Sequence, residues 1–226
     1  MKLTEAMLTG KSRAHLVNLP CPFSVNHFLQ ADALNAFQGL QQRAKKNGFN
    51  LQPASSFRDF RRQQLIWNSK FNGERKVHND DGEALDLTEL SDWQKIQAIL
   101  RWSALPGASR HHWGTEIDIF DPDLLPIGKS LQLEPWEYEQ GGYLFELSQF
   151  LLENLSHFDF TLPFMNLPSS KKIGREPWHI SHVPTAKKAQ HLFSSAIVLN
   201  SWQGESIGGK AVLVAYLEEI FARYIL

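Results

Sequence analysis

The stretch GASRHHWGTEIDIFD, residues 107–121, joins a polar turn with two adjacent histidines to acidic residues at alternate positions. Residues 114–120 alternate between polar and apolar side chains, which is the pattern of a β-strand with one buried face. In such a strand Asp118 shares a face with Gly114 and Glu116, and the isoleucines between them share the other face. We expect the isoleucines to enter the core, so that Asp118 is presented on the opposite side.

The rest of the chain predicts helices around short strands. Apolar residues recur at helical spacing in several segments, and short strand patterns lie near Leu51 to Ser56 and within residues 171–183. The helical segments are residues 31–48, 58–73, 90–104 (with Ser91 as N-cap), 143–158 and a tail with a last helix from Ile207 to Tyr224. Helices in no regular alternation with strands predict an α+β fold, a small antiparallel sheet with flanking helices. We expect one domain over residues 1–226, with a C-terminal helical extension from about residue 185, and an exposed loop at residues 73–90 that is a candidate lid.

The composition describes an aromatic-rich globular chain without a strong overall charge. Its 226 residues include 23 Lys and Arg against 24 Asp and Glu, so the formal net charge is -1. This balance gives no attraction to nucleic acid or to an anionic membrane, and we expect neither as a partner. No stretch approaches the roughly 20 apolar residues that span a bilayer. Cys21 is the only cysteine, which excludes an internal disulfide. Because residues 1–20 lack the apolar run of a signal peptide, we expect a cytoplasmic location.

Two clusters of residues could hold a metal ion. The first is His111 or His112 with Asp118, and the second lies in GREPWHISH, residues 174–182. Histidine nitrogens and carboxylate oxygens are common zinc ligands, and a catalytic zinc keeps three of them. In the second cluster Glu176 stands close to His179 and could act as a general base. Spacing alone leaves open a simpler interpretation, in which these are hydrogen-bonded polar residues without a metal.

A third segment completes a known pattern. The sequence reads Ser109-x-His111, then Asp118 after six further residues, and later Glu176-Pro-Trp-His179. Upstream stands Ser55-Ser-Phe-Arg58, with Gln63 five residues further on. This combination resembles the LAS family of zinc peptidases, which includes VanY-type D-alanyl-D-alanine carboxypeptidases and VanX-type dipeptidases. The resemblance covers about residues 30–183, and it departs from the usual pattern at Phe57, where tyrosine is usual, and at Glu116, where a small or apolar residue is common.

The resemblance implies a LAS/hedgehog-like zinc peptidase fold and one zinc ion. It implies that the zinc ligands are His111, Asp118 and His179, that Glu176 is the catalytic base, and that Arg58 faces the metal and binds the substrate carbonyl or carboxylate. Ser109 and Gln63 would contact the substrate. Trp178 is a further candidate for the wall of a substrate groove, with packing in the core as its alternative.

The implied activity is hydrolysis of a peptide bond in peptidoglycan-derived peptides or muropeptides, with D-alanyl-D-alanine carboxypeptidase as the leading specificity. LD-carboxypeptidase, dipeptidase and endopeptidase activities are alternatives within the family. A non-catalytic module that binds wall peptides or metal is an alternative of another class, although such a module would be free to lose Glu176. Wall-trimming members of the family work outside the cytoplasmic membrane, so periplasmic action is the alternative to the cytoplasmic location.

Three further residues lie close to the expected ligands in the sequence. The spacing to Asp118 in the family pattern selects His111, which leaves His112 either beside the site or facing solvent. His182 lies three residues after His179 and is expected at the rim of the site at most. Glu116 shares a strand face with Asp118, so we expect a carboxylate near the metal that pairs with Arg58 or Arg110.

Overall fold

The structure is a computed structural model that describes residues 2–21 and 26–225. Its strands are β1 (Val17–Asn18), β2 (Phe28–Leu29), β3 (Gln52–Ser55), β4 (Glu116–Phe120), β5 (Phe160–Thr161) and β6 (His179–His182). Its α-helices are α1 (Glu5–Leu8), α2 (Ala31–Lys46), α3 (Phe60–Phe71), α4 (Asp92–Leu100), α5 (Pro135–Tyr138), α6 (Phe145–Asn154), α7 (Val183–Leu192), α8 (Ser195–Ser201), α9 (Lys210–Ala215) and α10 (Leu217–Tyr224). Short 3-10 helices span Arg110–Trp113, Pro122–Leu124 and Leu155–Phe158.

A four-stranded antiparallel sheet positions the chemistry-bearing residues. Its strand order is β3-β4-β6-β5, and β1 pairs with β2 in a separate two-stranded sheet. Ile117 pairs with Ile180, and Asp118 pairs with His179 one position further on. Because successive side chains of a strand point to opposite faces, this register sends the isoleucines into the core and the polar pair to the other face.

The apolar face of the four-stranded sheet packs against α2 and α6. Ile117, Ile119 and Ile180 are fully buried there, together with Phe37 of α2 and Leu147 of α6. The isoleucines of β4 therefore lie in the core and its acidic residues on the opposite face, as the alternation in the sequence predicts.

The helices α3 and α4 form a second core with the C-terminal helices. Trp67 of α3 and Trp202 are fully buried in it. The indole of Trp67 donates to the carbonyl of Gly208 at 3.0 Å, and that of Trp202 donates to the carbonyl of Pro106 at 2.7 Å. The residues after α7 therefore pack on the helices that flank the polar face of the sheet.

The 3-10 helix at Arg110–Trp113 turns directly into β4. Gly114 ends this helix with a φ of +68°, a left-handed conformation that L side chains rarely adopt. A Cβ atom at Gly114 would also clash with a methyl carbon of Leu16. Glycine at this position lets the chain reverse between the two histidines and the strand that carries Asp118.

The α+β prediction with a small antiparallel sheet is confirmed, and Ser91 caps α4 with its side chain as expected. Two local predictions are wrong. The segment before β4 contains the 3-10 helix instead of a plain loop, and the predicted last helix begins at Lys210 and divides at Tyr216. Within residues 73–90, Val77 and Leu87 are buried, so part of this loop is anchored to the second core. Among the described residues, no helix is long and apolar enough to cross a bilayer.

Candidate metal centre

Asp118, His179 and His111 converge on one buried point. The Nδ1 atom of His179 lies 2.9 Å from one carboxylate oxygen of Asp118, because the two residues are paired across β4 and β6. His111 arrives from the 3-10 helix, and its Nε2 atom lies 3.3 Å from the other carboxylate oxygen. One ligand atom from each of the three residues can be chosen so that all lie within 4.8 Å of one another. The three side chains can therefore hold a metal ion.

The outer nitrogen of each imidazole has a fixed hydrogen-bond partner. The Nδ1 atom of His111 lies 2.7 Å from the carbonyl oxygen of Ser56, and the Nε2 atom of His179 lies 2.9 Å from Glu116. A hydrogen donated at these positions leaves the other nitrogen of each ring facing Asp118 with its lone pair. Metal-binding histidines in proteins are oriented in this way by carbonyls and carboxylates. Two oriented imidazoles and one carboxylate match the three protein ligands of a catalytic zinc site.

The charges around Asp118 keep it ionised in spite of its burial. Burial opposes the charged carboxylate, but attraction to His111 and hydrogen bonds with His111 and His179 outweigh this effect, so the pKa of Asp118 lies well below its usual range. Burial likewise opposes the charged form of His179, yet hydrogen bonds to Asp118 and Glu116 raise its pKa to about 10, so a metal ion bound by the trio would displace a proton from the nitrogen that faces Asp118. The pocket thus favours positive charge at its centre.

Glu176 precedes β6 and reaches the same pocket. One of its carboxylate oxygens lies 3.6 Å from the Nδ1 atom of His179. Burial raises the pKa of Glu176 to about 7, with Asp118 adding to the rise and His179 and Arg58 opposing it. A carboxylate with a pKa near neutrality can both accept and return a proton, which is the requirement for a general base that later acts as an acid.

Arg58 faces the carboxylate of Asp118. Its guanidinium is 3.9 Å from the Asp118 carboxylate, and it donates to the side chains of Gln63 at 2.9 Å and Ser55 at 3.3 Å. Gln63 is fully buried, and its amide nitrogen donates to the carbonyl of Ala104 at 2.7 Å. The structure places Gln63 behind Arg58, where it fixes the guanidinium, rather than on the surface of the cleft.

His112 and His182 point away from the convergent trio. The Nδ1 atom of His112 lies 2.5 Å from the carbonyl oxygen of Arg58, and its Nε2 atom accepts from the backbone N–H of Gly107 at 3.1 Å. His112 therefore ties the backbone of Arg58 to the loop that leads into the 3-10 helix. His182 lies at the start of α7, where its Nδ1 atom is 2.9 Å from the hydroxyl of Thr185.

Glu116 is fully buried beside the trio and pairs with Arg110. The two side chains lie 3.0 Å apart, and the hydroxyls of Thr115 and Ser181 donate to the same carboxylate at 2.9 and 2.8 Å. Burial opposes the charge of Glu116, but Arg110 and the hydrogen bond with His179 lower its pKa to about 2. Of the two pairings expected for Glu116, the structure contains the one with Arg110.

A cleft of about 340 Å³ opens over the trio. Ser109 and Trp178 line it, although the indole of Trp178 is only 5% exposed and lies 5.7 Å from the ring of Tyr138 in the core. Trp178 therefore serves both as cleft wall and as core residue.

Sequence reasoning missed two residues of the same cleft. The ring of Phe164 meets His179 edge-on at 4.6 Å, and Lys70 lines the cleft from α3. Lys70 lies seven residues after Gln63, which places both on one helix face, and this spacing was the available signal. Phe164 follows β5 in a segment without periodicity, so no sequence pattern points to it.

Comparison with known proteins adds a family match and close relatives. The family model described as VanY, D-alanyl-D-alanine carboxypeptidase, matches residues 26–185. An uncharacterized protein of Haemophilus influenzae is 65% identical over 121 residues, which are 54% of this chain and 92% of the relative. A second uncharacterized protein of Haemophilus influenzae is 78% identical over 105 residues, which are 46% of this chain and 72% of that relative.

Solved structures share the fold at lower identity. VanYB in complex with D-alanine-D-alanine is 22% identical with a TM-score of 0.54, covering 80% of this chain and 85% of that chain. A mutant of the vancomycin resistance D,D-pentapeptidase VanY in complex with Zn(II) is 24% identical with a TM-score of 0.51, covering 79% and 85%. The LdcB LD-carboxypeptidase is 20% identical with a TM-score of 0.52, covering 81% and 76%.

Proposed function

The chain belongs to the VanY D-alanyl-D-alanine carboxypeptidase family, and from this premise we propose that it is a zinc-dependent carboxypeptidase that removes the terminal D-alanine from peptidoglycan-derived peptides. The observation that carries the proposal is the convergence of His111, Asp118 and His179 within 4.8 Å, with the carboxylate of Glu176 beside them. A muropeptide ending in D-alanyl-D-alanine is the proposed substrate. The proposal treats the chain as one peptidase domain, since the C-terminal helices share a core with α3 and α4.

The residues of the pocket divide the work of peptide hydrolysis. When zinc is bound by the trio, it supplies a Lewis acid and lowers the pKa of a bound water to about 7. Glu176 is placed to take a proton from the attacking water and to deliver it to the nitrogen of the leaving D-alanine, so that no proton is gained or lost overall. Its raised pKa, about 7, suits both steps.

Arg58 is proposed to bind the oxygen that becomes negatively charged when water attacks the peptide carbonyl. The guanidinium is held by Gln63 and Ser55, so it need not reorganise when that charge develops. Fixed donors of this kind stabilise the transition state more than the ground state. Ser109 and Trp178 form the wall along which the peptide lies.

The activity test compares the parent protein with Glu176→Gln on a muropeptide whose stem ends in D-alanyl-D-alanine. Mass spectrometry should show loss of one D-alanine with the zinc-loaded parent and at least a roughly 100-fold slower loss with Glu176→Gln. Glu134→Gln is the matched control, because Glu134 also lines the cleft but faces His78 at 3.6 Å rather than the trio. Equal rates for Glu176→Gln and the parent would contradict the assignment of the base.

Metal analysis of the parent protein and of Glu176→Gln tests the metal site separately from catalysis. Both should carry about one zinc per chain, because three ligands remain in the variant.

A muropeptide whose stem ends in a single D-alanine tests the alternative specificity. Loss of alanine from this stem, with no action on the stem that ends in D-alanyl-D-alanine, would identify an LD-carboxypeptidase.

A further inference from the structure

The cleft contains a cation that the proposed reaction does not use. Lys70 of α3 is half-buried, and its ammonium donates to the hydroxyl of Ser103 at 2.7 Å. Across residues 2–21 and 26–225, no carboxylate lies within ion-pairing distance of it. A half-buried ammonium with one neutral partner is costly unless an anion joins it.

Other cations surround Lys70 and increase this cost. Arg58 and Arg75 line the same cleft, and their positive charges disfavour the protonated form of Lys70. Burial in the first place, together with these two arginines, lowers the pKa of Lys70 to about 8, while Glu176 and Glu134 oppose the shift. Burial and the two arginines together outweigh the two carboxylates, so an anion bound beside Lys70 would stabilise its charged form.

Arg58 is held in place by residues of the site, and it is the group proposed to bind the reacting oxygen. Its guanidinium already donates to Gln63 and Ser55 and faces Asp118 at 3.9 Å. Lys70 is free of such contacts except for Ser103, which lies in the segment that follows α4. A carboxypeptidase substrate brings two oxygen groups to the cleft, the reacting carbonyl and the carboxylate at the chain end. Arg58 and Lys70 therefore offer one binding position for each of these two groups.

We infer that Lys70 and Ser103 form a carboxylate subsite that binds the C-terminal carboxylate of the substrate, which rests on the proposed carboxypeptidase function. A hydrogen bond to a charged group adds more affinity than a neutral one. A carboxylate is the expected ligand rather than a doubly charged phosphate, because Glu134 and Glu176 also line the cleft and would repel the second charge. The subsite explains preference for a free chain end over the interior of a peptide.

Equilibrium binding separates this subsite from catalysis. The probes are an acetylated lysyl-D-alanyl-D-alanine acid and the same peptide with a C-terminal amide. Their dissociation constants are measured by calorimetry on the zinc-loaded Glu176→Gln protein, which holds the peptide without cleaving it. We expect the acid to bind at least about 10-fold more tightly than the amide.

A second substitution then tests Lys70 in this background. Lys70→Met keeps the length and apolar stem of the side chain, and it should reduce the acid-to-amide ratio to within about 3-fold. Lys70→Arg should retain most of the ratio, and Lys187→Met, on the exposed face of α7, should leave it unchanged. Partial unfolding of Lys70→Met would weaken the binding of both peptides by the same factor, so the ratio still reports on the folded protein.

Two results would overturn the inference. One is an unchanged ratio in Lys70→Met, which would assign the carboxylate to Arg58. The other is that the Glu176→Gln protein with Lys70 intact shows no preference for the acid peptide over the amide, which includes failure of both peptides to bind. Failure of the proposed function has a different signature, namely binding of the acid peptide without its cleavage by the protein that retains Glu176.

Discussion

The Nε2 atom of His179 lies 2.9 Å from a carboxylate oxygen of Glu116, on the side of the ring away from Asp118. This contact fixes which nitrogen of His179 faces the proposed metal position. Glu116 in turn is held by Arg110 and by two hydroxyls, so the imidazole is oriented by a buried network rather than by one flexible group.

We expect the loss of Glu116 to weaken zinc binding. Glu116→Ala combined with Arg110→Met removes the carboxylate without leaving a buried cation unpaired, and it should lower zinc affinity about 10–100-fold. Competition with a coloured chelator measures the affinity directly. Glu137→Gln is the control, because Glu137 is equally buried but binds Tyr143 and backbone N–H groups. Unchanged zinc affinity in the double variant would show that Glu116 does not orient His179.

The preference for a free chain end should decline with rising pH. The free protein loses the charge of Lys70 near pH 8 instead of near 10.5, because its pKa is lowered. Burial favours this loss most, Arg75 and Arg58 add to it, and Glu176 and Glu134 oppose it. The ratio of kcat/KM for the acid peptide to that for the amide should therefore be highest below pH 8 and fall above it. Titration of Glu176 affects both substrates and cancels in the ratio.

Lys70→Arg gives the control for this pH dependence. An arginine stays charged to a pH above about 12. The acid-to-amide ratio of kcat/KM for Lys70→Arg should therefore not change with pH over the same range. A ratio in the parent that does not change between about pH 7 and about pH 10 would argue against Lys70 as the group responsible.

His112→Ala should destabilise the fold. The substitution leaves the carbonyl of Arg58 and the N–H of Gly107 without their partners, at a cost of at least about 2 kcal/mol in the free energy of unfolding. Urea denaturation measures this cost. His157→Ala, at an exposed position, should change stability by less than about 0.5 kcal/mol. A His112→Ala protein as stable as the parent would contradict the role given to these hydrogen bonds.

The C-terminal helices should be required for a stable cleft. Trp202 is fully buried and donates to the carbonyl of Pro106, so Trp202→Ala should lower the free energy of unfolding by about 3–5 kcal/mol. Trp136→Ala removes a half-exposed indole and should cost much less. Similar unfolding curves for the two variants would show that the extension contributes little to the core.

Local patterns in the sequence predict the parts of the site that depend on local geometry. Successive side chains of a strand point to opposite faces, so residues two positions apart share a face. Alternation along β4 therefore places Glu116 and Asp118 on the same face. The family pattern then selects His111 over His112, and the structure brings His111 to Asp118. The membership of the chain in the VanY family, expected from the same residues, is confirmed.

Contacts between distant segments are not visible in such patterns. Gln63 has the right place in the motif, but only the packing of α3 against Ala104 shows that it faces inward. His112 finds its partner 54 positions away in sequence, at the carbonyl of Arg58. The spacing along α3 places Lys70 on the helix face of Gln63, but only the structure shows that Lys70 meets Ser103, in the segment after α4, within the cleft.

The pairing of Asp118 with His179 makes the metal a reporter of strand alignment. A slip of β4 by one residue along β6 would turn Asp118 toward the core and bring Ile117 or Ile119 to the position beside His179. Such a chain would keep its helices, but the isoleucines of β4 would leave the core and the carboxylate between the two imidazoles would be lost. Zinc content per folded molecule therefore distinguishes correctly aligned chains from misaligned ones in a preparation that circular dichroism would treat as uniform.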